Sequence, residues 1–115
     1  MSSTISNYTR GDIVLCADKW ADFTGKPRPF LIVQKTIYIE AKDSLLVCPI
    51  STALDETGLR IRLNVDKENG LLQDSDIHTD KVSAIKKSRV KQVIGKVSSR
   101  KMSEVSASLK DWLDL

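Results

Sequence analysis

With 115 residues, 18 basic and 15 acidic side chains and a net charge of +3, the chain has the size of a single domain, 1–115, able to bury roughly two-thirds of its unfolded surface. Its apolar runs are of strand length, too short to span a membrane, and the polar start Met1 to Asn7 lacks the core of a secretory signal, so a soluble cytoplasmic protein is expected. Two cysteines, Cys16 and Cys48, make no disulfide framework, and with a single histidine they offer no metal-ligand cluster.

Residues 1–10 have no periodicity and read as a flexible tail. Gly11-Asp12 opens Ile13 to Ala17, too short for a helix and rich in branched residues, as in a strand buried on both faces. Asp18 to Lys26 is a loop whose Trp20 and Phe23 are expected to fold back over the core. Phe30 to Gln34 is the second strand, and Thr36 to Glu40 alternates well enough to continue it or follow a bend. Ala41 to Ser44 turns the chain into Ser44 to Ile50, where Pro49 implies an edge or a bulge because it cannot donate to a ladder. Leu59 to Val65 alternates with period two, placing Arg60 and Arg62 on a basic outer face.

Glu68-Asn69-Gly70 is a turn, after which Leu71-Leu72 returns to the core. Ile77 to Ile85 reads as extended, with His78, Asp80 and Val82 on one face. Val90 to Val97 is the last strand, bent at Gly95. Ser98 or Ser99 then caps a helix whose Met102, Val105, Leu109, Trp112 and Leu113 repeat at helical spacing, so Trp112 is assigned to its buried face. Five or six short strands and one terminal amphipathic helix predict a mainly β protein, a small, strongly bent antiparallel barrel with the helix packed on it.

Two features suggest a site. Arg28 stands between Pro27 and Pro29 at the mouth of an apolar strand, where the fixed φ of proline gives a flexible guanidinium a stiff base. Such bracing suits a fork that must meet a phosphate or carboxylate in one geometry. Charge is also segregated: Leu54 to Asp80 holds seven acidic residues against three basic, whereas Lys81 to Ser103 holds eight basic residues and no acid. A one-sign field of this kind attracts a polyanion or an acidic protein.

Four segments in order resemble the MazF/PemK family of toxins from bacterial toxin–antitoxin systems. They are Arg10-Gly11-Asp12-Ile13-Val14, Arg28-Pro29-Phe30-Leu31-Ile32-Val33, Val47-Cys48-Pro49-Ile50-Ser51-Thr52, and Asn69 to Ile85. The chain departs from the family pattern in the loop before Gly25 and at Lys81 and Lys86, which stand where glutamine and aspartate are common. The resemblance implies an SH3-like barrel, a homodimer, and an endoribonuclease (mRNA interferase) that cuts single-stranded messenger RNA without a metal or other cofactor. An acidic antitoxin would neutralise it.

Metal-free cleavage uses the neighbouring 2′-hydroxyl as nucleophile, and needs a base, positive charge on the phosphorane and a donor for the leaving oxygen. Arg28 suits the charge, and Ser51 can hydrogen-bond the phosphate or the 2′-oxygen. His78 is the side chain that titrates near neutrality, and Asp80 is expected beside it as its orienter or as the base itself. Lys26, Thr52, Arg60, Arg62 and Lys81 are candidates for holding the substrate. Two other readings stay open: a gyrase-poisoning toxin of the same barrel, in which a C-terminal tryptophan makes the contact, and a noncatalytic RNA-binding barrel.

Overall fold

The computed structural model of the protein describes residues 8–17 and 26–115. Among these described residues seven strands lie in chain order before one α-helix: β1 (Asp12–Cys16), β2 (Arg28–Ile32), β3 (Ser44–Ser51), β4 (Ile61–Leu63), β5 (Ser75–Ile77), β6 (Ser83–Lys86), β7 (Val90–Lys96) and α1 (Ser99–Leu113). The strands pair antiparallel in the order β4-β5-β3-β2-β1-β7, with β6 also on β3. β4 and β7 are not paired, so the bent sheet is barrel-like without closing.

Both faces of the central strands are covered, as the unbroken apolar run of β1 requires. On one face Ile13, Leu31, Cys48, Ile50 and Ile77 meet Val105 of α1, with Met102 and Leu109 packed against them. On the other, Val14, Phe30, Ile32, Leu45 and Val47 enclose Ile39. Each fully buried branched side chain among them stabilises the fold by about 1.5–3 kcal/mol. Ser98 caps α1 by accepting from the Lys101 N–H at 3.2 Å.

Several expectations are corrected. Tyr8 to Arg10 are not a loose tail: the Thr9 amide donates to Asp12, and Arg10 donates to the Val33 carbonyl and to Ser106 Oγ of the helix. Residues 1–7, and Trp20 and Phe23 with the rest of 18–25, lie outside the described residues. Thr36 to Tyr38 form a 3-10 turn instead of a strand, leaving Ile37 and Tyr38 exposed and burying Ile39. The strand expected over Leu59 to Val65 contracts to β4, with both end residues exposed, and Leu72 is 95% exposed beside buried Leu71.

Pro49 marks neither an edge nor a bulge. β3 is central, and one of its sides pairs with β6 through Ser44 to Val47 and with β5 through Ile50 and Ser51. Pro49 falls at the changeover, where the Pro49 carbonyl accepts from the His78 N–H at 2.8 Å and no donor is needed in return. The extended piece expected over Ile77 to Ile85 breaks at the same place into β5, a 3-10 turn over Thr79 to Lys81, and β6. The turn removes the shared face of His78, Asp80 and Val82. Finally, Trp112 is 44% exposed and Leu113 is also exposed, so the buried face of α1 ends near Leu109.

Candidate active site

The β2–β3 register pairs Phe30 with Pro49, Leu31 with Cys48 and Ile32 with Val47. Extended by two residues toward the mouth of β2, it sets Arg28 opposite Ser51, and cross-strand partners share a face. On the other side of β3, Ser51 pairs with Asp76, and Asp76 in turn pairs with Arg62. A polar row thus crosses three strands, Arg62, Asp76 and Ser51, and the continued β2–β3 register points it toward Arg28. Arg28 is exposed and Ser51 half-buried, so this end of the row opens to solvent. Ser51 Oγ accepts from the Ala53 N–H at 3.0 Å, which leaves its own hydroxyl proton to donate outward.

The inner half of the row is closed. Asp76 is 1% exposed, donated to by Arg62 Nε at 2.5 Å and by the Asp55 N–H at 2.6 Å. Burial alone would push its carboxyl up, but the Arg62 and Asp55 bonds outweigh it and hold it below the usual carboxylate range. Arg60 bridges Asp55 at 3.6 Å and Asp80 at 3.5 Å. The two arginines expected to form a basic outer face are therefore paired within the subunit, Arg62 also with Glu56 at 3.8 Å.

His78 and Asp80 part company. His78 is buried at 9% exposure, and its Nε2 is shut from solvent without a hydrogen-bond partner among the described residues. Burial first, then the Arg60 and Lys81 charges, pulls its pKa below the ordinary imidazole value against the opposing pull of Asp80 and Asp76. Asp80 lies exposed on the 3-10 turn, tied to Arg60. Lys26 and Thr52 are exposed beside the outer end of the row, and Lys81 borders a groove next to Phe30 and Pro49. Burial pushes the neighbouring Cys48 thiol up to about 12, which makes it inert.

Asp55 and Asp76 had no distinguishing signal in the sequence. They read as two more members of an acidic stretch, and their arginine partners became visible only through register.

Among solved structures the fold is similar to the Mycobacterium tuberculosis toxin MazF-mt6, with a TM-score of 0.76 over 90% of this chain and 97% of that one at 20% identity. It is equally similar to an endoribonuclease solved with its cognate antitoxin from a mycobacterial species, with a TM-score of 0.76, 17% identity, and 94% and 96% of the two chains covered. In sequence the chain is 34% identical over 107 residues, 92% of its own length and 96% of the relative's, to the probable endoribonuclease MazF of Mycolicibacterium smegmatis. The family model for PemK-like, MazF-like toxins matches residues 9–113, containing all seven strands, the polar row and the helix, and the chain therefore belongs to that family of toxins of type II toxin–antitoxin systems.

Proposed function

We propose that this protein is an endoribonuclease acting on single-stranded messenger RNA in the cytoplasm, with Arg28 and Ser51 at its catalytic centre. What supports the reading is the β2–β3 register, whose continuation past Phe30 and Pro49 would set a proline-braced guanidinium and a strand-end hydroxyl 23 positions away on one face. Relatives named as endoribonucleases support it.

The reaction is an internal transfer. Asp80 takes the proton of the 2′-hydroxyl, and the 2′-oxygen bonds to phosphorus while the bond from phosphorus to the 5′-oxygen breaks. The departing 5′-oxygen takes a proton from solvent water, leaving a 2′,3′-cyclic phosphate and a 5′-hydroxyl. Arg28 grips two phosphate oxygens and offsets the charge that builds on the phosphorane, which lets the step run without a metal. Ser51 donates to the phosphate or steers the 2′-oxygen. Of the two proton-handling candidates, Asp80 is the base, because its carboxylate keeps partial access to solvent, whereas His78 is buried with its Nε2 unpartnered and serves to position the turn instead. Thr52, Lys26 and Lys81 hold flanking phosphates. Arg60 and Arg62, bound to carboxylates, shape the site from within.

An acidic antitoxin is the partner of opposite charge for the Lys81 to Lys101 stretch, and half-exposed Trp112 with Leu113 offers apolar surface for a homodimer.

The test is cleavage of a fluorophore-quencher RNA beside the same strand with 2′-O-methyl groups. Arg28→Ala is expected to lower cleavage by at least about 10²-fold, in keeping with removal of a principal charge-stabilising group, while circular dichroism stays unchanged. Undiminished cleavage by the variant, or cutting of the 2′-O-methyl strand, would overturn the reading.

A further inference from the structure

The connection between β3 and β4, residues 52–60, is folded on itself by side chains that accept from nearby amides. Ser51 Oγ accepts from the Ala53 N–H at 3.0 Å, Asp55 Oδ1 from the Thr57 N–H at 2.8 Å and Thr57 Oγ1 from the Leu59 N–H at 3.3 Å. Asp55 then ties the connection to the sheet. Its N–H donates to buried Asp76 at 2.6 Å, its carbonyl accepts from Arg62 Nη2 at 3.4 Å, and its Oδ2 lies 3.6 Å from Arg60 Nη1. The Thr57 N–H above all, and then the Arg60 charge, hold the Asp55 carboxyl below the usual carboxylate range, so it faces Arg60 as an anion.

Arg60 is divided between two carboxylates. Nη1 faces Asp55 and Nε faces Asp80 Oδ1 at 3.5 Å, so one rigid guanidinium plane joins the β3–β4 connection to the 3-10 turn over Thr79 to Lys81. The Arg60 side chain is 20% exposed and each carboxylate 23%, against 87% for Glu56 beside Arg62. Ion pairs shielded in this way are screened by salt less than pairs out in solvent. Asp80 stands in a turn, where no strand ladder aims its side chain, and the contact with Arg60 selects one orientation of its carboxylate. That contact engages Oδ1, and among the described residues Oδ2 has no ion-pair partner. A carboxylate that must take a proton from one direction works faster when its rotation is stopped before the substrate arrives.

We infer that Arg60, anchored by Asp55, is a positioning residue that fixes Oδ1 of Asp80 and so presents Oδ2 to the 2′-hydroxyl. The inference rests on the ribonuclease reading above with Asp80 as the base; Arg60 itself touches no reacting atom.

The experiment follows single-turnover cleavage of the fluorophore-quencher RNA by the full chain over a range of protein concentration, which separates the maximal rate from the half-saturating concentration. Arg60→Ala is expected to lower the maximal rate about tenfold and to leave half-saturation within about twofold of the parent, as for an aligned group that loses its support. Asp55→Asn keeps the backbone bonds to Asp76 and Arg62 and removes the charge facing Arg60, so a smaller loss of about threefold in the same rate is expected. Should Arg60→Ala fail to fold, Asp55→Asn carries the test alone. In an Asp80→Asn background neither substitution should slow cleavage further, because the group they align no longer accepts a proton. Parent rates in both variants overturn the inference, as does a loss residing in half-saturation, which would make Arg60 a contact of the RNA. A loss of equal size repeated in the Asp80→Asn background overturns it too, since a generally weakened scaffold slows any residual chemistry. In each of these cases an active parent beside a slow Asp80→Asn leaves the ribonuclease reading standing. An Asp80→Asn protein that cuts at the parent's rate removes Asp80 as the base, and the inference with it.

Discussion

His78 and Arg28 illustrate how burial sorts residues of similar apparent promise. Arg28 is exposed on a stiff base, whereas His78 is enclosed, with burial and the Arg60 and Lys81 charges disfavouring its protonated form. A histidine with a lowered folded pKa binds fewer protons folded than unfolded, so its contribution to stability is complete above the ordinary imidazole pKa of about 6.5. That contribution is lost as pH falls through the lower folded value. The melting temperature is therefore expected to drop between about pH 7 and 5, and His78→Gln to flatten that part of the curve. A parallel curve in the variant would place the loss of stability on other groups.

The 3-10 turn between β5 and β6 is the element on which the proposed site depends. It carries Asp80 and Lys81, and the helix holds it from behind: Thr79 Oγ1 and Ser108 Oγ are 2.7 Å apart, with Thr79 buried. The Lys81 N–H donating to the His78 carbonyl at 3.0 Å closes the turn. Replacing Ser108 leaves a buried hydroxyl without its partner, at a loss of about 1–2 kcal/mol. Ser108→Ala is accordingly expected to lower the melting temperature and also to reduce RNA cleavage several-fold, because the turn loses its backing. Ser108→Thr, which keeps the hydroxyl, should recover most of both. Loss of stability with undiminished cleavage would detach the helix from the chemistry.

At the scale of the whole molecule the net charge of +3 understates the contrast between surfaces. Carboxylates of the acidic stretch are engaged inside the subunit: Asp55 and Asp80 with Arg60, Asp76 with Arg62. Lys86, Lys91 and Lys96 are exposed on β6 and β7. RNA affinity should therefore fall steeply with salt, and Lys86→Ala with Lys91→Ala should lower association rates at low salt more than they raise dissociation rates. Stopped-flow binding at two ionic strengths separates these effects. Equal changes in both rates would mean that the lysines make contacts at the site and do not steer from a distance.

The sequence by itself determined what depends on near neighbours. The apolar run of β1, the braced entry to β2, the Ser98 cap and the Val105–Leu109 stripe were all legible because strand and helix patterns repeat over a few residues. So were the family motifs and the candidacy of Arg28 and Ser51. Tertiary structure decided the remainder. The break after His78 has no glycine or proline to announce it; it arises where β3 exchanges one partner strand for another. The helical repeat placed Trp112 in line with Leu109, yet the core it would meet ends a turn earlier. The ion pair joining Arg62 and Asp76 is set by strand register. Register follows from how the whole sheet buries its two faces, and no local stretch of chain encodes it alone.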